Sequence, residues 1–160
     1  MTVTIPESDE TIRQLLHLFL FSNGPTSSSF LLSSPDDSTS CDILIENRPL
    51  ITRPSSKILL LNTDAVPLPQ EKDSGLVVSY GLNHFATVTA SSLREDVGGL
   101  SFQYCLQRSV ISPQQKELEP QEFPVCIDGF LTDIHSALAF VTLALLTGTP
   151  SDQLFHLHVK

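Results

Sequence analysis

Apolar positions change their spacing several times along this chain, and each change predicts a different element. Val3-Thr4-Ile5 reads as a short first strand. Pro6-Glu7-Ser8-Asp9 follows as a turn and helix start, with Ser8 or Asp9 as N-cap. Ile12, Leu15, Leu16 and Phe19 then recur at helical spacing until Gly24-Pro25 stops the helix. Residues 22–40 hold eight Ser together with Pro25 and Pro35. That composition predicts a polar loop with at most a brief strand at Phe30-Leu31-Leu32.

Cys41 to Glu46 reads as a strand, and Lys57 to Leu61 and Leu76 to Tyr80 are continuous apolar runs. Runs of that kind suit parallel strands covered on both faces. Ala86 to Ser91 and Leu100 to Arg108 instead alternate with period two, which predicts strands with one exposed face. Phe102, Tyr104 and Leu106 fall on the core side of the second. Glu122 to Ile127 is a further short strand, placed at an edge or bend by Pro124. Asp133 to Leu146 is a helix, apolar almost all round, capped by Thr132 or Asp133 and ended by Gly148 and Pro150. Leu154 to Val159 alternates and predicts a last edge strand. The order predicts one α/β domain over residues 1–160: a mixed, mostly parallel sheet flanked by helices, with an antiparallel region.

Charge narrows the partners. Nine basic residues stand against eighteen acidic ones, a net charge of -9. Phosphate neutralisation needs clustered Lys and Arg, so this balance argues against nucleic acid and against an anionic membrane surface. Ile134 to Leu146 is shorter than the span of about 20 residues a bilayer needs, and it contains His135. MTVTIPESDE lacks the basic and apolar regions of a signal peptide, so a cytoplasmic location is expected. Cys41, Cys105 and Cys126 lie in apolar runs without a C-x-x-C, the pattern of reduced core residues. His156-Leu157-His158 has a spacing that could chelate a metal, but a surface strand explains it as well. Asn83-His84 reads as a turn, and no G-x-S-x-G elbow is present.

Four segments in the second half have a recognisable order. Leu60-Leu61-Asn62-Thr63-Asp64 is a strand running into N-x-D. Val78-Ser79-Tyr80-Gly81-Leu82-Asn83 and Ala86-Thr87-Val88-Thr89-Ala90 follow it. Asp133-Ile134-His135-Ser136-Ala137-Leu138-Ala139 comes after the alternating pair. Over residues 57–148 this resembles the central domain of the Mur ligases, which add amino acids to the peptidoglycan precursor with ATP. The resemblance implies a fold of the P-loop NTPase type, with a T-G-x-x-G-K-[ST] loop after the first strand.

Here Ile5-Pro6-Glu7-Ser8-Asp9-Glu10-Thr11 stands in that place. Both glycines are replaced, Glu10 holds the Lys position, and only Thr11 matches. A phosphate loop needs glycine so that its amides can curl around the anion, and Pro6 has no amide to donate. Two like charges 4 Å apart repel by about 4 kcal/mol at an effective dielectric near 20. At the adenine end of the family site, Thr132, Asp133 and Ser136 stand where a His and two Asn are found. Glu46, at the end of its strand, matches a metal-binding Glu of the family. The flanking substrate domains have no counterpart in 160 residues.

The resemblance therefore implies a pseudoenzyme: a non-catalytic Mur-ligase-like domain without a cofactor. It would act through an unidentified protein partner or as a homodimer, in the setting of peptidoglycan precursor synthesis. The alternative is a small-ligand or nucleotide module that uses the remnant cleft through Thr11, Glu46, Asn62 and Asp64.

Overall fold

Thr2–Thr4 forms β1 and is followed by α1, Glu10–Ser22. The computed structural model describes residues 1–6, 9–22, 31–33, 40–69, 75–128 and 133–158, and only the backbone at 19–22, 31–33 and 158. The strands β2 (Leu31–Ser33), β3 (Ser40–Glu46), β4 (Ser55–Asn62) and β5 (Leu76–Tyr80) come next. They are followed by β6 (Val88–Asp96), β7 (Gly99–Leu106), β8 (Val110–Ile111), β9 (Glu117–Leu118) and β10 (Gln121–Asp128). The helix α2 (Ile134–Leu146), a 3₁₀ turn at Ser151–Leu154 and β11 (His156–His158) complete the chain. Most of the Ser-rich stretch, Gly24-Pro25, Ser8 and Thr132 lie outside the described residues.

Among the described residues, nine strands form one mixed sheet in the order β11-β10-β7-β6-β5-β4-β3-β1-β2. The run from β2 to β6 is parallel, which the unbroken apolar segments predicted for β4 and β5. β6 and β7 form the expected antiparallel pair, and β7 pairs antiparallel with β10. The small β8–β9 hairpin stands apart. Its two-residue strands are too short to show a period, so the sequence carries no signal for it. Pro124 is not on an edge strand, since β11 flanks β10. The parallel pairing with β11 covers only Cys126 to Asp128, however, so Pro124 has a ladder partner on the β7 side alone, where its missing N–H costs no sheet bond.

The two faces of the sheet are unequal. Ile43, Ile45, Ile58, Leu60, Val78 and Tyr80 join α1 and α2 in the larger core. Leu44, Leu59 and Leu61 point the other way and are covered with Val66 and half-buried Leu50 and Val77. Both described helices thus lie on one face, which corrects the expectation of helices flanking the sheet. The helices pack against each other, and loop residues close the opposite face. Every residue of α2 except His135 is buried. That explains its apolar circumference: α2 meets β4, β5 and β6, while Tyr104 of β7 reaches Thr142 at 3.0 Å. The helix ends as its sequence predicts. Gly148 takes φ 96°, which frees Thr149 N–H to reach the Ala144 carbonyl at 2.9 Å.

Cys41 and Cys105 are buried free thiols, whereas Cys126 is only half-buried. No described helix is long and apolar enough to cross a membrane.

Candidate functional site

The parallel strands β3, β4 and β5 end together, and both helices begin above those ends. Asn47 follows β3, Asn62 closes β4 and Tyr80 closes β5. The crevice outside the carboxyl ends of parallel strands is where open α/β sheets hold ligands. A cavity of about 280 Å³ lies here. Asp9 and Thr11 line it from the start of α1, and Asp133, His135 and Ser136 from the start of α2. Asn47, Arg48, Asn62, Asp64 and Ala65 complete the wall from the strand ends.

A buried amide network forms the floor. Asn62 Nδ2 donates to Asn47 Oδ1 at 2.8 Å, and Tyr80 O–H donates to the same oxygen at 3.1 Å. Asn47 Nδ2 donates to Asp9 Oδ1 at 3.3 Å. Asn62 Oδ1 in turn accepts from Asp64 N–H at 3.0 Å. These links tie three strand ends to the start of α1, and unpairing one buried member would cost about 1–3 kcal/mol. Burial, with the nearby carboxylates, pushes the Tyr80 hydroxyl well above its ordinary range, so it serves as a donor.

Asp64 stands at the open rim. Its Oδ2 accepts from Leu82 N–H at 2.6 Å and lies 2.9 Å from His135 Nε2, while Oδ1 accepts from Asn83 Nδ2 at 2.7 Å. Partial burial alone would raise its pKa. The Asn83 and Leu82 bonds and His135 together outweigh that and hold the carboxyl below its ordinary value. Gly81 makes this approach possible, because a Cβ there would stand 2.8 Å from the Asp64 carboxyl. Asn83 and His84 do form the expected turn. Asn83 Oδ1 accepts from Phe85 N–H at 3.1 Å, so a side-chain bond closes the turn without a left-handed backbone at Asn83.

Asp9 differs from Asp64. It occupies the N-cap position of α1, its carbonyl accepting from Arg13 N–H at 3.2 Å. The residue is 4% exposed, and Oδ2 is buried without a hydrogen-bond partner among the described residues. Burial pushes its carboxyl above the ordinary value, against the Asn47 bond and the charge of Arg48.

No family model matches this chain, and no curated protein is significantly similar to it.

Five of the eight residues singled out from sequence line this one cavity: Thr11, Asn62, Asp64, Asp133 and Ser136. Asp133 is the N-cap of α2, accepting from Ser136 N–H at 2.9 Å and from Ser136 O–H at 2.6 Å. Glu10 opens α1 and accepts from Gln14 Nε2 at 3.1 Å on the exposed side. Glu46 lies outside the lining. Its buried carboxylate is held by Arg53 at 2.7 Å and by Leu50 N–H at 3.2 Å, so its oxygens face protein donors. Thr132 lies outside the described residues.

The sequence reading missed Asp9, Asn47, Arg48 and His135 as members of the site. Asn47-Arg48 directly follows a strand end, a position that could have singled them out; His135 was hidden inside an apolar helix. His156 and the backbone of His158 lie on the edge strand β11. No group of three metal-ligating side chains occurs among the described residues.

Proposed function

We propose that this chain is a non-catalytic binding domain of Mur-ligase-like descent, with a cleft closed to nucleotide phosphates. The observation that carries this reading is the occupation of both helix starts by the chain's own carboxylates. A helix N-terminus attracts anions through its free amides and its dipole. Asp9 stands at the start of α1, and Asp133 already accepts from the start of α2. The segment after β1 also presents carbonyls to its own helix. Arg13 Nη2 donates to the Ile5 carbonyl, and Arg13 Nε to the Pro6 carbonyl at 3.4 Å. A phosphate loop would instead turn amides inward. The Glu46 carboxylate, bound to Arg53, is spent on the protein.

Of the two modes of binding, the cavity favours a small ligand. A concave site with a few converging polar groups is the usual form of such sites. A protein partner or second copy is the other mode, favoured by Leu82 and Phe85, which stand 46% and 72% exposed in the turn beside Asp64. Peptidoglycan precursor synthesis is the setting the family likeness implies. A gene neighbourhood without cell-wall genes removes that setting.

Calorimetric titration with ATP-Mg²⁺ tests the proposal. No binding tighter than about 100 μM, roughly -5.5 kcal/mol, is expected. Tighter binding overturns it. Light scattering after size exclusion tests the second mode: a monomer at high concentration with no stable partner removes it.

A further inference from the structure

We propose that β10 and β11 carry a binding site for Zn²⁺, made by Cys126, Asp128, His156 and His158. This goes beyond the reading of the cleft and does not depend on it.

The sequence offers His156-Leu157-His158 as a pair at chelating spacing and shows no partner for it. The strand register supplies the partners. β11 lies parallel to β10, with His156 beside Cys126, Leu157 beside Ile127 and His158 beside Asp128. Successive residues of a strand alternate between faces, and register partners share one. Ile127 and Leu157 are buried in the larger core. The positions on the other face of the two strands are therefore those of Cys126, Asp128, His156 and His158.

These positions form a block of two by two. Adjacent strands stand about 4.8 Å apart, and alternate residues along a strand about 6.6 Å apart. Such corners are close enough for side chains to meet on one ion, with Zn–S about 2.3 Å and Zn–N and Zn–O about 2.0–2.2 Å. Two of the four already converge. Cys126 Sγ donates to Asp128 Oδ1 at 3.3 Å, and a sulfur and an oxygen on one tetrahedral zinc stand about 3.5 Å apart. On binding, Zn²⁺ takes the place of the thiol proton between them, and that proton leaves to solvent. Cys126 N–H also donates to the Phe155 carbonyl at 2.9 Å, which holds the approach to β11 against β10. His156 is exposed on the edge strand, so its imidazole can turn onto the ion without disturbing the core. The described side chains alone do not complete a group of three, so the site needs both histidines.

The donor set selects the metal. Imidazole and thiolate suit Zn²⁺, whereas Mg²⁺ and Ca²⁺ take oxygen ligands and would find one carboxylate. The ion would pin the three-residue edge strand to β10.

Calorimetric titration of the untagged, reduced chain with Zn²⁺ tests this. One equivalent is expected to bind with Kd below about 1 μM. Co²⁺ in place of Zn²⁺ should give thiolate-to-metal charge-transfer absorption, which requires a sulfur ligand, and Cys126→Ser should abolish it. His156→Ala and His158→Ala should each weaken Zn²⁺ at least about tenfold, the least that losing even a supporting partner of a metal ligand costs. His84→Ala, at the exposed turn, should leave the affinity unchanged. Weaker binding overturns the inference, as does a Co²⁺ spectrum without the thiolate band or a band that survives Cys126→Ser. Unchanged affinity in either edge-strand variant, or an equal loss in His84→Ala, overturns it too.

Discussion

Glu46 and Asp9 are both buried acidic residues, and what faces each decides its effect on stability. Glu46 has a matched cation, with Arg53 Nε and Nη2 both 2.7 Å from Oε2. Removing that cation leaves a buried charge unpaired, so Arg53→Ala is expected to destabilise the fold by about 3 kcal/mol. Urea denaturation reads this directly. A double variant, Glu46→Gln with Arg53→Met, should recover most of the loss.

Asp9 has the opposite sign. Its folded-state pKa lies above the ordinary 3.8, so it favours the fold when protonated. That contribution is full below the unfolded value and is lost as pH rises through the folded value. Asp9→Asn is therefore expected to raise the urea midpoint at pH 7, with the gain shrinking towards pH 4. Asp64, held below its ordinary value, stabilises the fold above 3.8 and loses that effect as pH falls through its folded value. A pH series on wild type and Asp9→Asn separates the two.

Elements meet at the cavity through their ends, so small changes at those ends should be felt across it. Asp133 satisfies the first turn of α2 with two bonds from Ser136. Asp133→Ala is expected to cost about 1 kcal/mol, as for other N-caps. Gly81→Ala reaches further. Its new methyl group would stand 2.8 Å from the Asp64 carboxyl, which must then leave its bonds to Leu82, Asn83 and His135. A lowered Tm and shifted resonances at all three partners are expected; unchanged resonances would contradict this geometry. The start of α2 was legible because capping is local: a short polar residue precedes an apolar run. The tie from α2 to Asp64 was not legible. It joins His135 to a residue 71 positions away, and no local pattern reports such a pairing.

The whole molecule carries a net charge of -9, and that excess acts on the fold as well as on partners. Self-repulsion among like charges opposes the compact state and is screened by salt. Raising NaCl from low to moderate concentration at pH 7 is expected to raise Tm, and a falling Tm would contradict a charge-limited fold. The core is uneven as well. Leu138 of α2 sits at 0% exposure in the larger cluster, and Leu59 at 0% in the smaller one on the opposite face. Both Leu→Ala changes should cost about 2–5 kcal/mol, and the cavity left by each sets the value within that range.

Outside the small β8–β9 hairpin, the described strands and helices, the parallel pairing of β4 with β5 and the antiparallel pair were legible in the sequence alone, because each depends on a period of apolar positions that neighbouring residues display. Asn62, Asp64 and Ser136 were singled out through the resemblance of their segments to a family's motifs, not through that period. Only the tertiary structure decided that both described helices share one face, that Glu46 turns to Arg53 and that Asp9 has an oxygen without a partner among the described residues. These depend on how the sheet curls and on which distant side chains meet over its strand ends. Burial and pairing across a crevice are sums over many residues, and a linear pattern does not contain them.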